Sequence, residues 1–161
     1  HAQNPNYAGT GMSGTPDFDG DGAGDLFSAS TGTLTIWNGT GDNRFGPAVA
    51  VGGDWKGFSR PVAGDFSGDG VSDLLAVKTE GGRLHVWNGE GANEFSSAIE
   101  LGPGWEPYAA TLMSLGDVNG DGRPDLGAVH AETGVLTVWN GKGGNKFGTA
   151  VPVGAGWKSH F

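Results

Sequence analysis

Hydrophobic and polar positions alternate in three short runs that share one pattern. They are Thr33-Leu34-Thr35-Ile36-Trp37, Arg83-Leu84-His85-Val86-Trp87 and Val135-Leu136-Thr137-Val138-Trp139. A period of two places Leu and Ile or Val on one face of a strand and Trp on the other. No segment carries an apolar stripe at helical spacing, so no long helix is expected. Each run ends in Trp-Asn-Gly (Trp37-Asn38-Gly39, Trp87-Asn88-Gly89, Trp139-Asn140-Gly141). A Phe follows (Phe45, Phe95, Phe147), then a second Trp (Trp55, Trp105, Trp157).

Around each run the sequence predicts three further strands. The first leads from the second Trp to an acidic loop, as in Tyr108 to Leu115. The second follows the loop: Asp25 to Ser30, Asp73 to Thr79, Asp125 to Ala131. The alternating run is the third. The fourth is Ala48 to Val51, Ala98 to Leu101 or Ala150 to Val153. Four-stranded units of about 40–50 residues predict an all-β fold of β-propeller blades. Residues 1–12 form an N-terminal segment, and 13–161 a single three-blade domain. The units run over about 7–54, 55–104 and 105–156, with 7–16 as the first strand of blade one and Tyr7 in register with Trp55. Residues 157–161 begin a further strand. Propellers close with four to eight blades. Three blades therefore predict a homodimer that completes a six-bladed ring, or a piece of a longer propeller. An open three-unit stack is the alternative.

The chemistry lies in the loops between the first two strands. They are Asp17-Phe18-Asp19-Gly20-Asp21-Gly22-Ala23-Gly24-Asp25, Asp65-Phe66-Ser67-Gly68-Asp69-Gly70-Val71-Ser72-Asp73 and Asp117-Val118-Asn119-Gly120-Asp121-Gly122-Arg123-Pro124-Asp125. Oxygen-bearing side chains occupy positions 1, 3, 5 and 9, with glycines at 4 and 6. Hard oxygens without sulfur or imidazole select Ca²⁺, and the carbonyls of Ala23, Val71 and Arg123 at position 7 complete the set. About three Ca²⁺ per chain are expected. Acidic turns without metal are the plainer reading, but three copies in one register favour a cation that relieves the repulsion. An EF-hand does not fit. Its bidentate Glu at position 12 is replaced by Ser28, Ala76 and Ala128, and the flanking segments are strand-like.

Composition sharpens this picture. Gly supplies 33 of 161 residues, spread through turns as many short strands require. The net charge is −9, but the three loops hold ten of the eighteen acidic residues, and the rest nearly balance nine Lys and Arg. The acidity thus belongs to the loops. With no basic patch, nucleic acid is not an expected partner. No apolar run reaches a membrane span. There is no Cys, hence no thiol or disulfide chemistry. Weak extracellular-type calcium sites and a first residue that is His rather than Met predict a secreted, processed chain or an excised piece.

No catalytic constellation stands out, so a non-enzyme is expected. Gly11-Met12-Ser13-Gly14 falls short of a nucleophile elbow. His1, His85, His130 and His160 share no ligand spacing. Trp37, Trp87 and Trp139 read as blade packing. Trp55, Trp105 and Trp157 follow Gly-containing turns and could pack between blades or stack on a sugar. His85 and His130 stand where the repeats differ, which makes them candidates for ligand specificity.

The acidic loops on a β-repeat resemble the FG-GAP/VCBS repeats of integrin-α-type β-propellers and lectin-like secreted propellers. The likeness covers roughly 13–161. Its Phe-Gly element appears as Phe45-Gly46 and Phe147-Gly148, with Phe95-Ser96 in the second unit. The resemblance implies Ca²⁺ held by Asp17, Asp19, Asp21 and Asp25; by Asp65, Ser67, Asp69 and Asp73; and by Asp117, Asn119, Asp121 and Asp125. Ser67 makes the middle site the weakest. It also implies binding of carbohydrate or another cell-surface ligand. The alternatives are an accessory part of a secreted carbohydrate-active enzyme, or such an enzyme itself, and a pure scaffold.

Overall fold

The computed structural model describes residues 16–160. The strand predicted over 7–16, and with it Tyr7, lies outside the described residues apart from Pro16. Blade one comprises β1 (Leu26–Ser28), β2 (Leu34–Gly39) and β3 (Phe45–Gly52). Blade two comprises β4 (Val62–Gly64), β5 (Asp73–Lys78), β6 (Arg83–Trp87), a hairpin of β7 (Gly89–Gly91) and β8 (Glu94–Phe95), and β9 (Ile99–Gly102). Blade three repeats this with β10 (Met113–Gly116), β11 (Asp125–Val129), β12 (Leu136–Trp139), the hairpin β13 (Gly141–Gly143) and β14 (Lys146–Phe147), and β15 (Val151–Gly154). The sheets run β1-β2-β3, β4-β5-β6-β9 and β10-β11-β12-β15, all antiparallel. These are β-propeller-type repeats.

Each third strand meets its fourth through the same irregularity, one residue past the Leu: Leu34/Thr35, Leu84/His85 and Leu136/Thr137. A bulge there sharpens the twist of the outer edge.

The apolar cores lie between blades. β5 is buried on both faces except at Lys78. Leu74 and Ala76 face blade one and join Phe18, Phe27, Leu34, Ile36 and Trp55. Leu75 and Val77 face blade three and join Leu84, Val86, Leu112, Leu126 and Trp139. Full burial of one such Leu contributes about 1.5–3 kcal/mol, so each junction is a genuine core. The predicted division of faces holds in β6: Leu84 and Val86 turn to blade three, and Trp87 packs on the cluster with blade one. In β12 the burial pattern inverts, because Trp139 meets blade two while Leu136 and Val138 stay partly exposed.

The prediction that the second Trp opens a strand is corrected. Trp55 starts a 3₁₀ turn, Trp105 precedes the 3₁₀ turn Glu106–Tyr108, and Trp157 precedes the 3₁₀ turn Lys158–His160. Regular pairing resumes only at Val62 and Met113. The cause is one hydrogen bond per unit. The Trp N–H donates to the Gly carbonyl of the turn before the third strand: Gly32 (3.1 Å), Gly82 (3.0 Å) and Gly134 (3.1 Å). The residue ahead of the Trp takes positive φ (Asp54 67°, Gly104 95°, Gly156 91°), which bends the chain inward. Among the described residues there is no α-helix.

Candidate metal loops and an interblade groove

The three loops fold by one hydrogen-bond scheme. The position-1 carboxylate accepts from the two glycine N–H groups ahead of it. Asp17 takes Gly20 (2.8 Å) and Gly22 (2.9 Å), Asp65 takes Gly68 and Gly70 (2.8 Å each), and Asp117 takes Gly120 and Gly122 (2.7 Å each). Those glycines hold φ between 82° and 89°, a region a Cβ would strain. The position-5 carboxylates of Asp21, Asp69 and Asp121 accept from the N–H of Ala23, Val71 and Arg123 at 2.8, 2.9 and 3.0 Å.

Position 9 has a second duty that the sequence does not announce. Asp25, Asp73 and Asp125 are fully buried. One oxygen of each accepts from the loop (Phe18 N 2.6 Å, Ser67 N 2.8 Å, Val118 N 2.8 Å). The other accepts from the Gly of Trp-Asn-Gly: Gly39 at 2.9 Å, Gly89 and Gly141 at 2.8 Å. This clamp requires glycine. A Cβ at Gly39, Gly89 or Gly141 would stand 2.0, 2.0 or 2.1 Å from the carbonyl oxygen of Gly24, Ser72 or Pro124. The recurrence of Trp-Asn-Gly was the available signal.

The side chains converge in two of the three loops. Oxygens of Asp17, Asp19, Asp21 and Asp25 lie within 4.8 Å of one another, as do those of Asp65, Asp69 and Asp73. Asp117, Asp121 and Asp125 form no such group. Asn119 stands between them and bonds Asp121 weakly at 3.4 Å through its amide. The charge pattern follows. Burial, with the neighbouring charges of Asp25 and Asp21 adding to it, pushes the Asp19 carboxyl up to about 6. Burial also raises Asp73, opposed by the N–H groups of Gly89 and Ser67. Asp117 is lowered, chiefly by the Gly122 N–H. Among the described residues no Lys, Arg or His forms an ion pair with a loop carboxylate; the one ion pair is Arg83–Glu100. Hard oxygen donors that converge without a protein cation fit a hard divalent metal.

The aromatic candidates sit deeper than stacking alone would require. Trp55 is buried against Trp87 (ring centroids 4.5 Å) and Phe58. Trp105 packs on Trp139 (4.7 Å) and Tyr108. Trp157 is 38 % exposed, beside His160. His85 lies edge-on to Phe58, its Nδ1 3.0 Å from the Arg83 carbonyl. The Nδ1 of His130 accepts from Glu132 N at 3.1 Å and Thr133 N at 3.3 Å, so this ring ties down the turn before β12. Between blades one and two an open groove of about 620 Å³ runs from β3 to the β7–β8 hairpin. Val49, Trp55, Trp87, Asn93, Glu94 and Ser96 line it.

No curated protein sequence matches the chain. Among solved structures, a lectin from Agrocybe aegerita is similar, with a TM-score of 0.63 and 19 % identity. That structure concerns specific recognition of non-reducing terminal N-acetylglucosamine. The likeness covers 92 % of this chain and 40 % of the lectin, so the chain spans less than half of its length. At that identity the likeness speaks for the fold. The model of the FG-GAP-like repeat matches residues 17–76 and 65–128, most of the described length. Its two matched units begin at Asp17 and Asp65, the first residues of the loops described above, and the chain belongs to the FG-GAP-like repeat family.

Proposed function

We propose that this chain is a secreted, non-catalytic carbohydrate-binding module whose blade loops hold structural Ca²⁺. The observation that carries the reading is the groove between blades one and two, which Trp55 and Trp87 line together with Asn93, Glu94 and Ser96. A sugar presents an apolar ring face and a rim of hydroxyls, which an indole beside amide and carboxylate groups complements. The sugar specificity of the structurally similar lectin supports the same ligand class.

Calcium follows from the donor set. In the first two loops, where the carboxylate oxygens converge, positions 1, 3, 5 and 9 would hold the ion, with position 7 adding a carbonyl; a third site would require Asp117, Asp121 and Asp125 to draw together around the ion. Bound Ca²⁺ neutralises the crowded carboxylates. The chain's own residues do the rest: the position-1 Asp shapes the loop, and the position-9 Asp ties it to the next hairpin. A glycan array probed with and without Ca²⁺, including glycans ending in N-acetylglucosamine, tests the reading. Retention of a defined glycan class by the wild type, weakened at least tenfold by Glu94→Gln, is expected. Absence of any retained glycan for the calcium-loaded, folded chain overturns it.

A further inference from the structure

We propose that the junction between blades two and three is a further saccharide site, selective for acidic sugars, where Lys142 and Lys146 replace the Glu90 and Glu94 of the first junction. The proposal rests on the saccharide-binding reading above and gives the two junctions opposite charge preferences.

The two junctions are built alike. Trp55 meets Trp87 at 4.5 Å and 44°, and Trp105 meets Trp139 at 4.7 Å and 43°. The Asn93 N–H donates to the Phe18 carbonyl at 3.0 Å, and the Asn145 N–H to the Phe66 carbonyl at 2.9 Å. The hairpins share one register. Gly89 pairs with Phe95 and Gly91 with Glu94, as Gly141 pairs with Phe147 and Gly143 with Lys146. Asn93 and Asn145 hold φ of 62° and 64°. The facing outer strands match too, since Ala50 pairs with Thr35 just past the bulge, and Glu100 with His85. Glu90, Glu94, Ser96 and Ala50, which line the first groove, therefore correspond to Lys142, Lys146, Gly148 and Glu100.

The correspondence reverses the charge. At the first junction Glu90 and Glu94 supply the hairpin side, and the strand side from Val49 to Gly53 is uncharged. Both Glu are exposed and take part in no ion pair among the described residues. An acidic ligand would meet two like charges there, which is costly in a recognition site. At the second junction Lys142 and Lys146 are exposed, and they too are in no ion pair among the described residues. The Lys142 side chain folds back over its own hairpin. Its Cε and Nζ stand 3.2 and 3.9 Å from where a Cβ of Gly148 would lie. Ser96 fills the matching place with a hydroxyl that accepts from Asn88 N at 3.1 Å, whereas Gly148 leaves it to the ammonium. Arg123, in place of Val71, brings its Nε to 3.2 Å from the Cβ position of Gly143 and adds a third cation to the hairpin. The acid on the facing strand, Glu100, is paired by Arg83, so its charge is answered within blade two.

The indoles make a sugar the fitting carrier of the negative charge. Trp105 is partly exposed where Trp55 is at 8 %, so the second junction offers more ring face for stacking. A lysine ammonium is a compact point charge on a flexible stem and accepts a carboxylate or a sulfate on the sugar rim.

The calcium-loaded full chain, labelled with ¹⁵N, can be titrated with three tetrasaccharides while NMR follows each junction separately. One alternates glucuronate and N-acetylglucosamine, one is its neutral carboxyl-reduced counterpart, and one is an O-sulfated N-acetylglucosamine tetramer. The glucuronate form, the sulfated form or both should shift the Trp105 indole N–H and the Gly148 amide and spare Trp55 and Ser96. Which of them binds identifies the acid group. The neutral form should bind the second junction about tenfold more weakly or worse. The preference should vanish at about 1 M salt, where screening acts within about 3 Å. Lys142→Glu with Lys146→Glu should weaken the acidic tetramer about tenfold or more. Equal affinity of acidic and neutral forms at the second junction overturns the proposal, as does acidic binding at the first junction as tight as at the second. Neutral binding at the first junction with no acidic binding at the second refutes this proposal alone. No binding at either junction refutes it together with the saccharide reading. The wild-type comparison decides the matter if the double variant fails to fold.

Discussion

Gly89→Ala tests the clamp that joins each loop to its hairpin. The new Cβ would stand 2.0 Å from the Ser72 carbonyl oxygen and 3.0 Å from Val71 Cγ1. Backbone must therefore yield, since carbonyl oxygens do not swing aside. Overpacking of this kind costs about 1–3 kcal/mol. The displacement also draws the Gly89 N–H off Asp73 Oδ1, now at 2.8 Å. Asp73 is fully buried, and weakening a hydrogen bond to a buried charged group costs about 1.5–3 kcal/mol. A combined loss of about 3 kcal/mol or more is expected. At ~2–4 °C per kcal/mol for a domain of this size, the melting temperature should fall by roughly 6–12 °C. Gly52→Ala is the matched control, because its Cβ would meet nothing within 4 Å and its backbone is not in the positive-φ region. It should be neutral or stabilising by up to about 1 kcal/mol. Urea unfolding followed by Trp fluorescence, at one fixed Ca²⁺ concentration, reads both. If Gly89→Ala lies within about 0.5 kcal/mol of Gly52→Ala, the clamp does not do what is argued.

Three further outcomes are expected. The Asp19 carboxyl is raised from 3.8 to about 6, so the cation-free folded chain binds more protons than the unfolded chain in between. That contribution to stability is present below about pH 4 and lost as pH rises through about 6; melting curves after chelation should show it, and Asp19→Asn should flatten it. Ser67→Asp gives the middle loop a fourth carboxylate; calorimetric titration should show tighter Ca²⁺ binding there, and unchanged affinity would count against a site in that loop. Trp139→Ala removes a ring wedged against Trp105 and Tyr108 and should cost about 3–5 kcal/mol in chemical unfolding, and a loss under 1 kcal/mol would place it outside the core.

Much of the fold was legible because strand alternation and repetition are local. The period of two in Leu84-His85-Val86-Trp87 is the division of β6 between two neighbours. The same locality explains the misses. Trp55 and Trp105 lie in a segment rich enough in apolar residues for a strand, but a single bond to the preceding turn holds each beside a 3₁₀ turn. The hairpins β7–β8 and β13–β14 were not foreseen, since Gly-Glu-Gly and Gly-Lys-Gly carry no alternation. In the loops, the oxygen spacing of Asp17 to Asp25 was plain. The pairing of Asp25 with Gly39 was not, because it joins residues that meet only once the strands pair. His130 stands where the repeats differ, yet its ring nitrogen already serves the turn beside it.

The clamp has a consequence beyond a single loop. In blade two it runs from the acidic loop through Asp73 to Gly89 and the β7–β8 hairpin, whose Asn93 N–H reaches the Phe18 carbonyl in the loop of blade one. In blade three, Asp125 and Gly141 lead in the same way to Asn145 and the Phe66 carbonyl in the loop of blade two. Loop and hairpin thus alternate as links in a continuous belt around one rim. An ion that stiffens one loop braces the next link as well, so filling of one site should ease the filling of its neighbour.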